Sequence, residues 1–207
     1  MSRISANTLV ALFREAAERY GELGAFATKD STGVYQSTSF KKLYEDGLAL
    51  ATALIELGLR PREHVGLLSD NRFEWILCDY GVLLAGCADV PRGTDITPAE
   101  TAYILNHSDA RFVFVENSGV LEKLDRVRNS TRGIEKVILM DPKAPAPAGV
   151  LRLQDLVANG VKLRAAGDRR AEERIANVRP EDLFTIIYTS GTTGTPKGVP
   201  LTHANMT

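Results

Sequence analysis

The sequence predicts an α/β protein in which a mainly parallel β-sheet carries helices on both faces. Short apolar runs such as residues 65–69 and 112–116 are typical of buried strands, and they alternate with amphipathic stretches that have the period of a helix. Strands that are separated by helices are joined by crossovers, which makes neighbouring strands parallel. Of the 207 residues, 44% are apolar, which is enough for a sizeable core.

The first part of the chain predicts two helices with a β-hairpin between them. Apolar residues share one face of a helix over 9–20, and the strand-like stretches 25–29 and 34–38 flank a short polar turn that contains a glycine. Ser39 has the side chain and the position of a helix N-cap, and Gly58 is placed to end the second helix.

The middle of the chain repeats a β-α-β pattern. We expect strands at 65–69, 88–91, 112–116 and 136–140. A helix is expected over 73–87, where apolar residues follow the 3.6-residue spacing. Thr97, Pro98 and Glu100 predict a helix start, because a hydroxyl cap, a proline at the first helical position and a glutamate that closes a capping box all agree.

In the last third of the chain, the sequence predicts a loop, a charged helical region and a final strand. The proline-rich stretch 141–149 is expected to be exposed and extended, and residues 151–178 are expected to be helical. We interpret the charges at 169–174 as a solvated helix face rather than a nucleic-acid contact. The apolar run 183–188 predicts a strand.

Charge, cysteine and histidine content exclude several classes of function. The 25 basic and 26 acidic residues leave a net charge of -1, which gives no field for nucleic acid or an anionic membrane. We find no apolar run near the ~20 residues of a transmembrane helix and no basic leader, and we therefore expect a cytoplasmic location. Cys78 and Cys87 are interpreted as buried reduced thiols on opposite faces of one helix. The three histidines and two cysteines have no metal-ligand spacing.

The chemistry of this sequence is concentrated directly after the final strand. Residues 189–198 contain three glycines, five hydroxyl side chains and one lysine, Lys197. Glycines let backbone N–H groups approach an anion closely, and hydroxyls donate to phosphate oxygens or act as ligands of Mg²⁺. Lysine adds a compact positive charge. Each of these components suits a polyphosphate better than a plain flexible turn.

This segment is not a Walker A loop, although lysine stands at the same distance from the first glycine. Pro196 occupies the place of the second glycine of that motif, and Gly198 occupies the place of its Mg²⁺-binding hydroxyl. Pro200 also disfavours a helix that begins at the lysine. A hydroxyl ligand for Mg²⁺ must therefore come from the residues before Lys197, and a Walker-type NTPase is excluded.

The stretch 188–199, followed by the Leu-Thr-His-Ala-Asn of 201–205, resembles the signature motif of the adenylate-forming superfamily. That superfamily includes acyl-CoA synthetases, firefly-type luciferases and the adenylation domains of nonribosomal peptide synthetases. The similarity extends back to residue 65 and covers nearly all of the chain. The Arg-Gly-Thr-Asp of 92–95 is most similar to bacterial long-chain fatty-acid CoA ligases.

The resemblance implies a two-step reaction with ATP, Mg²⁺ and coenzyme A. A carboxylate would attack the α-phosphorus of ATP to give an acyl-adenylate and pyrophosphate, and the thiol of coenzyme A would then displace AMP. The positions that match the family's phosphate-binding residues are Thr189, Ser190, Gly191, Thr192, Thr193, Gly194 and Lys197. Among them Lys197 has the catalytic role and Thr189 matches the hydroxyl that helps to hold Mg²⁺.

One histidine of the motif has two interpretations. By its match to the family, His203 would line the region between the nucleotide and acyl sites. Alternatively it packs at the start of a helix, behind a cap formed by Thr202.

The resemblance also implies that residues 1–207 are only the N-terminal part of an adenylation domain. The family's later motifs, its adenine and ribose contacts and its C-terminal domain with a second lysine do not occur in this sequence. We therefore expect the isolated chain to be inactive, and to associate or form a homodimer through surface that the missing part would cover. The alternative is a non-catalytic module that binds a partner or regulates, and that retains the phosphate segment. A fatty acid is the leading substrate, with aryl, amino and short acids still open.

Overall fold

The computed structural model describes residues 6–29, 32–189 and 196–207. The strands of this part of the chain are β1 (Gly24–Lys29), β2 (Tyr35–Ser39), β3 (His64–Leu68), β4 (Ala88–Arg92), β5 (Ala110–Val115), β6 (Lys136–Leu139), β7 (Val150–Arg152), β8 (Leu183–Thr189) and β9 (Lys197–Thr202). The helices are α1 (Leu9–Tyr20), α2 (Phe40–Glu56), α3 (Phe73–Leu84), α4 (Pro98–His107), α5 (Ser118–Asp125), α6 (Leu153–Ala165) and α7 (Arg170–Asn177), with 3₁₀ turns at Arg128–Ser130 and His203–Asn205.

Seven of these strands form one sheet in the order β7-β6-β5-β3-β4-β8-β9. All neighbouring pairs are parallel except β8 and β9, which form an antiparallel hairpin at one edge. Strands β1 and β2 form a separate antiparallel hairpin, as the sequence predicts. The predicted mixed fold with a mainly parallel sheet is confirmed.

Two hydrophobic layers cover the sheet, one on each face. Helices α1, α2, α3, α6 and α7 contribute to the first layer, in which Leu50 and Leu54 of α2 are fully buried. Helices α4 and α5 form the second layer, with Ile104 and Leu105 at its centre. Strands β3 and β5 are almost continuously apolar because both of their faces are buried.

The residues that the sequence predicts to begin and end helices do so in the structure. The hydroxyl of Ser39 accepts a hydrogen bond from the backbone N–H of Lys42 at 3.2 Å, and Gly58 has a φ of +97° just after α2. The hydroxyl of Thr97 accepts from Glu100 N while the Glu100 carboxylate accepts from Thr97 N, which is a complete capping box.

Three expectations require correction. Residues 150–152 form strand β7 at the far edge of the sheet and are not helical, because they pair in parallel with β6. Cys87 lies in the connection after α3 and not within it, although both cysteines are free and buried as expected. The proline-rich stretch is not exposed throughout, since Ala144 is buried and its carbonyl accepts a hydrogen bond from Arg152 at 3.0 Å.

The charged region before β8 forms ion pairs as well as a solvated face. Arg170 pairs with Asp168 and Glu56 at 2.6 Å each, and Arg164 pairs with Glu172 at 2.7 Å. No helix in the described part of the chain is long and apolar enough to cross a bilayer.

Candidate functional site

The candidate site lies where β8 ends, at the same edge of the sheet as the carboxyl ends of β3 and β4. In open α/β sheets, ligands bind outside the carboxyl ends of the strands. Five of the predicted phosphate-binding residues follow β8 directly: Ser190, Gly191, Thr192, Thr193 and Gly194. These five lie outside the described residues, and their assignment stays a prediction.

The structure brings the other two predicted residues together. Thr189 ends β8, Lys197 begins β9, and the two are register partners across the antiparallel ladder. Opposite residues in such a ladder have their side chains on the same face, with Cβ atoms about 5 Å apart. Both residues are exposed to solvent. A hydroxyl and an ammonium group therefore stand side by side at the two ends of the segment 190–195.

Aromatic side chains from α4 support the base of this hairpin. The Tyr188 hydroxyl is hydrogen-bonded to Nδ1 of His107 at 2.6 Å, and the Tyr103 hydroxyl donates to the carbonyl oxygen of Pro196 at 3.1 Å. The Tyr188 ring meets both the Tyr103 and His107 rings edge-on. Burial raises the pKa of Tyr188 to about 12, so its hydroxyl stays protonated.

The glycine that follows the lysine is explained by this packing. A Cβ atom at Gly198 would lie 3.0 Å from Cζ and 3.2 Å from the hydroxyl oxygen of Tyr188. A side chain there would force the Tyr188 ring to shift by a few tenths of an ångström. Glycine at position 198 therefore fits the close approach of β9 to Tyr188 and also matches the signature motif.

A cleft of about 580 Å³ opens at the carboxyl ends of β3, β4 and β8, and its lining includes Trp75, Pro91 and Tyr188. Its rim is fixed by Asp70, whose carboxylate accepts from the backbone N–H of Thr94 at 2.9 Å and from its hydroxyl at 2.6 Å. The Thr94 hydroxyl and N–H lower the pKa of Asp70, which keeps this carboxylate ionised. The loop after β4 is thereby tied to the loop after β3.

A buried carboxyl group and a partly buried one lie close together beneath the β4–β8 contact. Asp89 of β4 is 2% exposed and is the register partner of Thr185 in β8. Burial raises the pKa of Asp89 to about 7, although a hydrogen bond with the Thr185 side chain lowers it. Burial and the neighbouring Asp89 raise the pKa of Asp79 in α3. Within the described residues, Oδ1 of Asp89 has no hydrogen-bond partner.

The structure separates His203 from the phosphate segment. Because β9 runs away from Lys197, its far end lies about 17 Å from the lysine, and His203 follows that end. His203 is 2% exposed, and its Nδ1 accepts a hydrogen bond from Leu9 N at 3.2 Å. This placement agrees with packing behind the Thr202 cap. A role of His203 in lining the region between the nucleotide and acyl sites stays a prediction.

Sequence reasoning missed the pairing of α4 with the hairpin. His107 of α4 contacts Tyr188 of β8, and the sequence analysis does not predict this contact. The available signal was the spacing of Tyr103 and His107, which are four apart and so share one face of the helix. The other described histidine, His64, is hydrogen-bonded to the carbonyl of Ser108 at 2.6 Å.

Comparison with known proteins identifies related chains. A family model described as "AMP-binding enzyme" matches residues 13–207. The long-chain-fatty-acid–CoA ligase ACSBG2 of Xenopus laevis is 30% identical over 201 residues, which are 97% of this chain and 27% of the relative. The chain therefore spans little more than a quarter of the length of that relative.

Solved structures share the fold over nearly the whole chain. The anthranilate CoA ligase AuaEII in complex with anthranoyl-AMP is 25% identical with a TM-score of 0.82, and the match covers 96% of this chain and 35% of that one. The long-chain-fatty-acid-CoA ligase FadD1 of Archaeoglobus fulgidus is 26% identical with a TM-score of 0.76, and the match covers 100% of this chain and 38% of that one.

Proposed function

The chain belongs to the family of AMP-binding enzymes, and from this premise we propose that it is the N-terminal part of an ATP-dependent acyl-CoA synthetase. The observation that carries the proposal is the pairing of Thr189 with Lys197 at the two ends of the glycine- and hydroxyl-rich segment, at the carboxyl edge of the sheet. A ligand that fits this position carries several adjacent negative charges, as a polyphosphate does.

The proposed reaction has two steps. A carboxylate oxygen of the substrate attacks the α-phosphorus of ATP, which forms an acyl-adenylate and releases pyrophosphate. The sulfur of coenzyme A then attacks the acyl carbon, its proton is lost, and AMP leaves. In the first step Lys197 and the hydroxyls of 189–193 would hold the β- and γ-phosphates and stabilise the charge on departing pyrophosphate.

The residues at this site fit Mg²⁺–ATP in chemical type. A hydroxyl oxygen such as that of Thr189 is a hard ligand that Mg²⁺ accepts, and Mg²⁺ keeps most of its other positions for water and phosphate oxygens. Bound Mg²⁺ would neutralise charge on the phosphates. The exposed ammonium group of Lys197 would add a positive charge from the protein next to the same phosphates.

A long-chain fatty acid is the proposed substrate. Support comes from the Arg-Gly-Thr-Asp stretch at 92–95 and from the Xenopus laevis relative, which is named as a long-chain-fatty-acid–CoA ligase. The AuaEII structure, by contrast, contains an aryl adenylate, so the family fold is compatible with a different acid. We also propose a cytoplasmic location, with which two free, buried thiols are compatible.

We propose that residues 1–207 alone do not catalyse the reaction. Affinity for a nucleotide needs groups that converge from several sides, and this chain presents one edge of a sheet. A non-catalytic module with a retained phosphate segment is the alternative, because the chain spans 27% of the length of the Xenopus laevis ligase.

The proposal is tested with the product of the natural gene. That protein is incubated with ATP, Mg²⁺, coenzyme A and one acid at a time: a long-chain fatty acid, an aryl acid, an amino acid and a short acid. We expect AMP and an acyl-CoA in equal amounts, with the long-chain acid preferred. Release of ADP and phosphate would contradict the proposal, and turnover of none of the acids would favour the non-catalytic module.

A further inference from the structure

We propose that Tyr103 and His107 are positioning residues that hold Tyr188 and Pro196, on the two arms of the β8–β9 hairpin, in register, so that Lys197 is in place before the nucleotide binds. This inference rests on the proposed function for its effect on ATP, but its structural part is independent of any activity. Neither residue is part of the signature motif, which begins at Tyr188.

The first observation is that the two side chains act on opposite arms of the hairpin. His107 is hydrogen-bonded to Tyr188, one residue before the end of β8, at 2.6 Å. Tyr103 donates to the carbonyl of Pro196, one residue before β9 begins, at 3.1 Å. One helix thus fixes both the residue that leads into the segment and the residue that leaves it.

The second observation is that α4 is a rigid support. Its N-terminus has a complete capping box, and the hydroxyl of Thr101 donates to the carbonyl of Thr97 at 2.9 Å. At its other end the hydroxyl of Ser108 donates to the carbonyl of Ile104 at 2.7 Å, and both Ile104 and Leu105 are buried against the sheet. Helix α4 is therefore fixed at both ends and along its buried face. The side chains on its other face are held at constant positions as a result.

The third observation is that the three rings pack on one another. The Tyr103 and His107 rings lie 5.3 Å apart, and the Tyr188 ring meets them at 6.4 and 5.7 Å. Tyr188 is 7% exposed, and Gly198 leaves room for it. The cluster therefore holds the last ladder pairs of β8 and β9 against α4.

This support has a consequence for binding. A lysine whose backbone is already held loses less conformational freedom when it meets a phosphate, and preorganisation of this kind strengthens binding. Removal of one supporting hydrogen bond should therefore weaken the productive binding of ATP without changing the binding of the acid. A net hydrogen bond is worth about 1 kcal/mol, which corresponds to roughly a fivefold change.

The variants remove one hydrogen bond each, and His107→Leu also removes the contacts of the imidazole ring. Tyr103→Phe deletes the hydroxyl and keeps the ring, and His107→Leu deletes the ring nitrogen. His107→Asn is the conservative variant, because its side-chain oxygen can take the place of Nδ1. Tyr80→Phe is the matched control: Tyr80 stacks on Phe13 far from the hairpin, and no hydrogen bond of its hydroxyl is found among the described residues.

The first readout is hydrogen exchange of the 207-residue protein, with amides of β3 and β5 as an internal reference for global stability. We expect the amides of residues 188–189 and 197–198 to exchange about fivefold faster in Tyr103→Phe and His107→Leu, relative to the reference amides. The rates in His107→Asn and Tyr80→Phe should equal the wild-type rates. Equal rates in all four variants, or a uniform increase over the whole protein, would overturn the proposal.

The second readout is the dependence of acid-driven pyrophosphate exchange on ATP, measured with the natural gene product. The KM for ATP should rise about fivefold in Tyr103→Phe, and the KM for the acid should stay constant. An equal rise of both constants would overturn the positioning role. A wild-type protein without activity, together with the expected hydrogen-exchange changes, would contradict the proposed function and still support the role of α4 at the hairpin.

Discussion

At the scale of single residues, Asp89 is a side chain whose environment departs far from its ordinary one. It is almost completely buried, it stands next to Asp79, and one of its oxygens lacks a partner within the described residues. A buried carboxyl group avoids the cost of desolvation by keeping its proton. Its pKa is accordingly raised to about 7.

This shift predicts how stability changes with pH. The unfolded chain releases the proton near the ordinary pKa of 3.8, whereas the folded chain keeps it up to about pH 7. The folded state therefore binds more protons between these values, and the free energy of unfolding falls as the pH rises from about 4 to 7. Asp89→Asn does not ionise and should reduce this fall, while Asp79, whose pKa is also raised by burial, still contributes to it. At pH 8 we expect the variant to be more stable than the wild type by on the order of 4 kcal/mol.

Urea unfolding of the 207-residue protein at pH 5 and pH 8 measures this effect. Asp125→Asn is the control, because Asp125 is exposed on α5. A wild-type protein that is equally stable at both pH values, or an Asp89→Asn variant that is less stable at pH 8, would be the contrary result.

Sequence singles out residues that belong to a short motif and misses environments that depend on distant contacts. Lys197 and Thr189 follow from the composition of one short segment and from its resemblance to the family motif. The structure places the two residues side by side, and their roles stay predictions. The environment of Asp89 depends on α3 and β8, which are remote in sequence. The placement of His203 depends on the direction of β9, which the sequence analysis did not assign as a strand.

At the scale of elements, the strongest local signals gave the best predictions. Helix α4 starts at Pro98 behind the Thr97 cap, as three agreeing signals predict. Strand β7 was missed because a three-residue strand between a proline-rich loop and a helix has no period to detect. Its identity depends on parallel pairing with β6, which is a tertiary contact.

The contact between α2 and α6 gives a prediction that opposes helix propensity. A Cβ atom at Gly160 of α6 would lie 1.8 Å from the carbonyl oxygen of Ala49 in α2, so the two helices must move apart to admit it. Alanine is normally favoured over glycine in a helix by about 1 kcal/mol. We nevertheless expect Gly160→Ala to lower the free energy of unfolding by about 3 kcal/mol.

Asn159→Ala is the matched control, since Asn159 is the exposed neighbour on the same helix. Chemical denaturation measures the free energy of unfolding of both variants. A Gly160→Ala protein that is as stable as Asn159→Ala would show that the close approach of α2 and α6 is not needed.

At the scale of the whole molecule, one exposed apolar surface lies on the hairpin that carries the candidate site. Ile187 and Val199 are register partners in β8 and β9, and they are 41% and 43% exposed on the same face of the sheet. Adjacent exposed apolar side chains favour association. We expect the purified 207-residue protein to have a light-scattering mass above its monomer mass of 22.6 kDa.

The double variant Ile187→Thr, Val199→Thr should shift that mass towards the monomer. Val161→Thr is the control, because Val161 is 52% exposed on α6, away from this hairpin. A wild-type protein that stays at the monomer mass at high concentration would be the opposite outcome.

The fold class could be predicted from sequence because strands and helices alternate along the chain with clear periods. The sequence predicted that the candidate site directly follows the final strand, and its position at the carboxyl ends of the parallel strands came from the structure, in agreement with the general rule for such sheets. The support of that site by α4 could not be predicted, because residues 103–107 and 188–196 meet only after the sheet has formed.

The central claim is that Lys197 acts on the phosphates of ATP in an acid-activating enzyme. The most direct measurement is acid-dependent exchange of labelled pyrophosphate into ATP by the natural gene product, compared between the wild type and Lys197→Ala. Loss of one charged group that stabilises the transition state should lower the exchange rate about 100-fold or more, while direct binding of the acid is unchanged. An unchanged exchange rate in Lys197→Ala would contradict the account.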